Sequence, residues 1–185
     1  MPDSLEGMAH EEQRHYLKAL KTSHPEWFDG VSVIEIGSLD INGTVRDFFP
    51  NPAYYLGVDV GPGPGVDVID QGENLTYEDN QFDIAISAEC FEHNPEWAAT
   101  FANMHRMANT AVIFTCASDG RPEHGTTRTD PGSSPHTVQW DYYRNLNESD
   151  FRNEFDLDEM FSDYGFTYNG NSHDLYFWGI KRKSQ

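Results

Sequence analysis

Four residues in the N-terminal part of the chain have the types and the spacing of a nucleoside-binding site. Glu35 and Gly37 end an apolar run, Gly43 closes the loop that follows, and Asp59 ends the next apolar run. Glycine lets a backbone approach a ligand closely, and a carboxylate after a second strand can accept hydrogen bonds from two ribose hydroxyls. The pattern predicts an α/β fold that holds a nucleoside at the ends of its first two strands.

The charge around this loop indicates which nucleoside fits. A dinucleotide site needs the pattern G-x-G-x-x-G so that bare backbone can touch a pyrophosphate, but the position two after Gly37 is Leu39. Glu35 and Asp40 stand beside the turn, where their carboxylates would repel phosphate. Such charges suit a ligand that presents an ammonium and a sulfonium. The predicted ligand is S-adenosylmethionine.

At these residues the chain resembles the class I S-adenosylmethionine-dependent methyltransferases, in particular small single-domain members with an E-x-G-x-x-x-x-x-G loop. Residues 79–93 are similar to the family's fourth strand, in which an aspartate and an apolar run precede an acid and a Glu-His pair. The likeness covers roughly residues 31–117. It implies a three-layer Rossmann-like α/β fold with a mostly parallel sheet and an antiparallel last strand, and methyl transfer as the reaction.

The resemblance also implies which residues contact the cofactor. The family places an acid and backbone amides against the adenine after the third strand, and in the best register Gln71 takes the place of that acid. We therefore expect S-adenosylmethionine to be bound by these residues: Glu35, Gly37, Ser38, Asp40, Asp59, Val60, Gln71, Gly72 and Ala88.

Three side chains are candidates for the transfer step, which needs positioning and a base for the acceptor proton. His124 has a suitable intrinsic pKa and charged neighbours, and the alternative is a surface residue without a role. Glu89 and His93 follow the fourth strand; Glu89 would hold the acceptor or act as base, whereas His93 in a Glu-His pair more often orders a loop. The histidines and cysteines have no zinc-like spacing, so we expect no metal. The alternative is a magnesium ion held by Glu89, Asp119 and His124.

The elements that position these residues are expected to form one domain over residues 1–185. The arm over residues 1–24 begins at a Ser4 cap and ends at His24-Pro25. It either lies over the cofactor or packs against the sheet. Its apolar face comprises Leu5, Met8, Tyr16, Leu17 and Leu20.

A crossover helix is missing from the pattern after the second strand. Only residues 60–65 separate Asp59 from the next apolar segment, Val66 to Ile69, whereas a parallel crossover normally takes a dozen residues or more. We expect this second crossover helix to be reduced to a loop.

Four further elements are predicted downstream from caps, periodicity and turn residues. They are a helix capped by Asn94 with Pro95 in its first turn, a strand over Ala111 to Thr115, a late helix with an Asp156–Glu159 capping box that ends at Gly165, and a hairpin of Phe166 to Tyr168 with Asp174 to Lys181.

Residues 118–149 have no clean periodicity, and loops this long in a compact domain are usually functional or disordered. In the family this region borders the acceptor pocket, so we expect it to select the substrate. The alternative is that its histidine and aromatic side chains only pin the loop. Its candidate recognition residues are Asp119, Arg121, Glu123, His124, Arg128, His136, Trp140, Tyr142 and Tyr143.

The composition of the chain indicates which classes of binding partner to expect. The chain has 12 Lys and Arg against 31 Asp and Glu, a net charge of −19, which repels nucleic acid and anionic lipid. The sequence has no run of about 18 apolar residues and no secretion signal, and two cysteines do not suggest a disulfide framework. We expect a cytoplasmic protein whose partner is a small-molecule acceptor.

These observations favour a methyltransferase that acts on a small polar acceptor such as a sugar, a nucleotide-sugar or another metabolite. The alternative is an inactive S-adenosylmethionine-binding module that serves as a partner or scaffold. A dinucleotide-dependent dehydrogenase or epimerase is disfavoured by the missing glycine pattern and by the absence of a Tyr-x-x-x-Lys pair.

Overall fold

In the computed structural model, which describes residues 5–183 and the side chains of residues 10–183, seven strands form a single sheet. The strand order is β3-β2-β1-β4-β5-β7-β6. The first five strands are parallel, and β7 runs antiparallel to both β5 and β6. This sheet confirms the predicted architecture. The strands are β1 Ser32–Ile36, β2 Tyr54–Asp59, β3 Val68–Ile69, β4 Phe82–Ala88, β5 Ala108–Ala117, β6 Phe161–Asn169 and β7 Asp174–Lys181.

Within residues 5–183, four α-helices accompany the sheet: α1 Leu5–Ser23, α2 Trp97–Met107, α3 Glu148–Glu154 and α4 Leu157–Met160. Between β1 and β4 the chain forms only 3-10 turns, at Val45–Phe48 and Gly72–Asn74. The reduction of the second crossover helix is therefore confirmed. The first and third crossovers are reduced in the same way.

Apolar side chains pack against both faces of the sheet, because alternate strand residues point to opposite sides. Beneath α1, Val33, Ile84 and Ile113 pack with Leu17 and Leu20 in one buried cluster. This cluster also contains the buried residues Trp27, Phe28, Val45, Phe48 and Phe49. The opposite face packs against α2 and α3 through Ile34, Phe101, Met104, Phe114 and Phe151.

The N-terminal arm is a helix that ends at Ser23, directly before His24-Pro25, as predicted. Leu17 and Leu20 are buried against the sheet. The proposed Ser4 cap and the side chains of Leu5 and Met8 lie outside the described residues.

Two predicted helix boundaries were wrong. The helix after β4 begins at Trp97, because Asn94 instead accepts a bond from the Glu96 amide in the preceding turn and donates to Thr100. The late helix does not extend to Gly165: α4 stops at Met160, and Gly165 lies inside β6. A Cβ at Gly165 would lie 3.0 Å from Nε1 of Trp178 on β7, so this glycine makes room for an indole rather than ending a helix.

The hairpin of β6 and β7 is confirmed, with the paired strands extending from Phe161 to Lys181. The fifth strand is longer than predicted and runs from Ala108 to Ala117. Both Cys90 and Cys116 are free thiols. Within residues 5–183, none of the helices combines the length and the apolar character needed to cross a bilayer.

Candidate functional site

A cavity opens at the carboxyl ends of β1, β2 and β4, where open α/β sheets bind ligands. We call the side near Gly37 and Asp59 the first end, and the side toward β5, with Glu89, His93 and His124, the other end. The long loop after β5 contributes to both.

The predicted cofactor residues meet at the first end, with one exception. Those that line the cavity are Glu35, Gly37, Ser38, Asp59, Val60, Gln71, Gly72 and Ala88. Asp40 is outside this set, because its Oδ1 accepts a hydrogen bond of 2.8 Å from the amide of Gly43 and so shapes the loop. That these residues contact S-adenosylmethionine stays a prediction.

Two glycines allow the close approaches that build this end. Gly37 has a φ of +79°, and a Cβ there would lie 2.8 Å from Cβ of Cys90. Gly43 has a φ of +122°, and its Cβ would lie 2.5 Å from Nε2 of His10 on α1. A side chain at either position would be strained and would push neighbouring residues out of place.

Asp59 is fastened by groups from three segments. Its Oδ2 accepts from the amide of Leu39 at 3.0 Å, and its Oδ1 accepts from the amide of Val60 at 2.8 Å. Nδ1 of His136 lies 3.2 Å from the same Oδ1, and the His136 ring packs against Gly61. The long loop after β5 therefore reaches the carboxylate that the sequence assigns to the ribose.

Glu35 is buried beneath the glycine loop and accepts a hydrogen bond of 2.6 Å from the hydroxyl of Tyr55. Burial raises the pKa of Glu35 to about 8, although the Tyr55 hydrogen bond and the Arg46 guanidinium oppose the shift. The carboxyl group is thus mainly protonated at neutral pH. A cationic ligand group nearby would favour its ionised form.

Buried acids gather at the other end of the cavity. Glu89, Glu92 and Asp174 surround the guanidinium of Arg121, which donates a bond of 2.9 Å to Asp174. Oε1 of Glu89 accepts from the hydroxyl of Thr115 at 3.0 Å. Burial raises the pKa of Glu89 to about 8 and that of Glu92 to about 7. Contact between the two carboxyl groups adds to the shift of Glu89, whereas the hydrogen bond with Glu89 opposes that of Glu92.

His93 and His124 stand beside these acids. Their ring centroids are 4.9 Å apart, and Tyr143 packs against both rings. Burial, with the charges of His124 and Arg121, lowers the pKa of His93 to about 3, so this imidazole is neutral at pH 7. Nδ1 of His124 lies 3.1 Å from the carbonyl oxygen of Pro122. The structure therefore brings together all three predicted catalytic candidates, Glu89, His93 and His124.

Some of the predicted recognition residues of the long loop line the cavity, and others contact residues of the loop or its neighbours. Arg121, His124, His136 and Trp140 line the cavity. Arg128 instead forms ion pairs with Glu123 and Asp141 inside the loop, and Asp119 accepts from the amide of Asn147. Tyr142 is half-buried and does not belong to the lining.

Several lining residues were missed from the sequence: His10, Gln13, Cys90, Asn94 and Ser134. Gln13 carried a readable signal, because it lies four residues before Leu17 and so interrupts the apolar face of α1. Its amide donates a bond of 2.8 Å to Thr115 in the sheet. The other four follow no local pattern.

A sequence model of the family described as "Methyltransferase domain" matches residues 61–115. No curated protein sequence matches the chain. Among solved structures, the protein YcgJ of Bacillus subtilis is 14% identical with a TM-score of 0.62, and the alignment covers 92% of this chain and 100% of that one. The N-methyltransferase NodS of Bradyrhizobium japonicum WM9 is 13% identical with a TM-score of 0.61, covering 99% and 100%.

A third similar structure was solved with the cofactor bound. Magnesium protoporphyrin IX methyltransferase (ChlM) of Synechocystis PCC 6803 is 14% identical with a TM-score of 0.60, and the alignment covers 95% of this chain and 81% of that one. It holds S-adenosylmethionine. The chain thus contains a segment similar to the methyltransferase domain family, and it has the fold of S-adenosylmethionine-dependent methyltransferases of known structure.

Proposed function

We propose that this protein transfers the methyl group of S-adenosylmethionine to an oxygen or nitrogen of a small polar acceptor, such as a sugar, a nucleotide-sugar or another metabolite. The observation that carries the proposal is that one cavity joins Gly37 and Asp59 at one end to Glu89, His93 and His124 at the other. The first end offers the expected cofactor contacts. The second offers groups that can hold and deprotonate a polar acceptor.

In this reaction the protein itself forms no covalent bond with either substrate. A lone pair of the acceptor forms a bond to the methyl carbon, the carbon–sulfur bond breaks, and sulfur keeps its electron pair as a neutral thioether. The acceptor proton must pass to a base. Holding the acceptor in line with that bond supplies much of the rate.

The three candidates differ as bases. A pKa of about 3 makes His93 a weak base at neutral pH, so it is better suited to positioning. His124 and Glu89 remain for proton removal, since the pKa of Glu89 is raised to about 8 by burial. Glu89 also has a φ of +50°, a strained backbone that places its side chain at the end of β4.

The charge of the acceptor end narrows the proposed substrates. Glu89, Glu92 and Asp174 outnumber the one guanidinium, Arg121, in this buried region. A strongly anionic acceptor would raise the pKa values of these carboxyl groups still further, whereas an amine-bearing acceptor would stabilise their ionised forms. Sugar hydroxyls can hydrogen-bond to the carboxyl groups in either ionisation state. Among the proposed acceptors, neutral sugars and amines are therefore favoured over nucleotide-sugars.

The cofactor part of the proposal is tested by thermal unfolding with S-adenosylmethionine, S-adenosylhomocysteine and NAD. A ligand at about a hundred times its Kd adds roughly 2.7 kcal/mol to the free energy of unfolding. We expect a raised melting temperature with both sulfur nucleosides and none with NAD. The absence of a shift with either sulfur nucleoside would contradict the assignment.

The acceptor part is tested by screening sugars, nucleotide-sugars, amines and small carboxylates for release of S-adenosylhomocysteine. We expect release with a neutral sugar or an amine, and no release from Asp59→Ala at low cofactor concentration. If the protein binds S-adenosylmethionine but turns over none of these classes, the inactive binding module becomes the better interpretation.

A further inference from the structure

We propose that Glu92, His93 and His124 bind a divalent transition-metal ion at the acceptor end of the cavity. One potential ligand atom from each of the three side chains lies within 4.8 Å of the others. Glu92 and His93 come from the turn after β4, and His124 comes from the long loop after β5, so an ion would join two segments distant in sequence. Ligand distances of about 2.0–2.2 Å would require these atoms to move closer together.

Unsatisfied buried atoms carry this proposal. Glu92 is fully buried, and apart from a contact with the Glu89 carboxyl group and one with its own backbone amide, its carboxylate oxygens have no hydrogen-bond partner among residues 10–183. Nδ1 of His93 is also buried without a hydrogen-bond partner in that part of the chain. Buried polar groups are nearly always satisfied, so a buried carboxylate whose main neighbour is a second acid indicates a partner other than a protein group.

The local charge agrees with a cation. Of the three buried carboxyl groups, Asp174 pairs with Arg121, whose Nη1 also donates to the carbonyl of Ser172. Among the described residues, Glu89 and Glu92 share only the more distant charge of Arg121, and the His93 ring, whose Nε2 lies 4.0 Å from Oε1 of Glu92, is neutral at pH 7. A divalent ion would balance both charges, whereas the competing arrangement is a proton shared between the two carboxyl groups.

The orientation of His124 suits a metal ligand. Because a carbonyl oxygen only accepts, the 3.1 Å contact with Pro122 assigns the proton of a neutral His124 ring to Nδ1. Nε2 then carries the lone pair that a metal needs. Such a hydrogen bond from the second ring nitrogen to a carbonyl is the usual support of a metal-binding histidine.

The ligand chemistry indicates which ions fit. Two imidazoles and a carboxylate favour Zn²⁺, Co²⁺, Mn²⁺ or Fe²⁺ over Mg²⁺, which prefers oxygen ligands. An ion with three protein ligands keeps positions open for a further group. If the proposed function holds, an acceptor hydroxyl would bind there and lose its proton more readily.

Calorimetric titration of the chelator-treated full chain with Zn²⁺ and with Co²⁺ tests the site without cofactor or acceptor. We expect one ion per chain. Glu92→Gln and His124→Ala each remove a metal ligand, so metal affinity should fall by about a hundredfold or more. Losing only the group that supports a ligand already costs up to about a hundredfold. His136→Ala is the matched control, since His136 lies on the same loop and cavity but contacts Asp59, and it should bind with unchanged affinity.

Two results would overturn the site: no stoichiometric binding of either ion, or unchanged affinity in both ligand variants. If Glu92→Gln stabilises a protein that binds no metal, the two glutamates share a proton instead. Thermal unfolding with S-adenosylhomocysteine shows whether each variant is folded. Because metal binding is measured without turnover, a failed acceptor screen would count against the proposed function and leave this test intact.

Discussion

Nδ1 of His136 lies 3.2 Å from Oδ1 of Asp59, so the loop expected to select the acceptor is fastened to the carboxylate expected to bind the ribose. Residues 133–137 of that loop line the same cavity as the glycine loop. The two functions assigned to separate regions of the sequence are therefore in physical contact. Any movement of the loop would change the access of a nucleoside to Asp59.

His136→Ala should open this contact. Asp59 would keep its bonds from the amides of Leu39 and Val60, so we expect the Kd for S-adenosylhomocysteine to change less than tenfold. The association and dissociation rates of S-adenosylhomocysteine should both rise, because the long loop loses its contact with Asp59 and can move away from the cavity more easily. Stopped-flow fluorescence can follow Trp140, which lines the cavity. Unchanged rates would mean that the loop does not control entry.

Asp59→Ala should weaken binding of S-adenosylhomocysteine by roughly 1.5 to 3 kcal/mol, because it removes a charge-assisted acceptor of two ribose hydroxyls. Asp59→Asn should do less harm. The matched control is Asp40→Ala, whose carboxylate bonds the Gly43 amide and does not line the cavity. Equal losses in calorimetry for Asp40→Ala and Asp59→Ala would remove the special role of Asp59.

His124→Ala should slow methyl transfer by about a hundredfold to ten-thousandfold if this histidine removes the acceptor proton. Affinity for S-adenosylhomocysteine should change little, since His124 lies at the opposite end of the cavity from Asp59. Measuring the rates of both the variant and the unmodified protein with and without added Zn²⁺ would separate proton removal from metal binding. A loss of only a few-fold under both conditions would reduce His124 to a bystander.

Glu35→Gln should alter how stability depends on pH. Since the folded pKa of Glu35, about 8, lies above the ordinary value of 4.5, the folded state retains a proton that the unfolded state loses. The contribution of Glu35 to the free energy of unfolding is complete below pH 4.5 and is lost as pH rises toward 8. The variant should therefore gain stability relative to the parent between pH 5 and pH 8, by more than about 1.4 kcal/mol, the equivalent of one pKa unit.

Urea unfolding of both proteins at the two pH values measures this difference. Glu89, Glu92 and Asp174 also have raised pKa values, so both proteins should lose stability with rising pH. Only the difference between them reports on Glu35. A difference that stays constant from pH 5 to pH 8 would show that Glu35 ionises normally.

Local patterns were sufficient for the parts of the fold that depend on neighbours in sequence. The apolar runs that end at Ile36 and Asp59 predicted β1 and β2, and Gly37 indicated a close backbone approach after β1. The short link after Asp59 predicted a missing helix because chain length alone forbids it. The prediction that the late helix ends at Gly165 was wrong, because glycine is found both at helix ends and where a strand makes room for a large neighbour such as Trp178.

The candidate site depends more on distant contacts. Gln13 and Thr115 bond across 102 positions, and Arg121 and Asp174 across 53. No periodicity encodes such pairs, since they form only when the sheet has assembled. The sequence consequently suggested a magnesium ion at Glu89, Asp119 and His124 as the alternative to no metal. The structure instead groups His124 with Glu92 and His93 and leaves Asp119 on Asn147.

The crossovers from β1 to β4 contain no α-helix, and the outermost strand, β3, is two residues long. The outer edge of the sheet beyond β2 is thus held by few backbone hydrogen bonds, whereas β1, β2, β4, β5 and β7 are paired along most of their length. Amide protons near β3 should then exchange with solvent faster than those of β5. A bound nucleoside that contacts Asp59 and Gly72 would slow this exchange, so that cofactor binding would also stabilise the outer edge of the sheet.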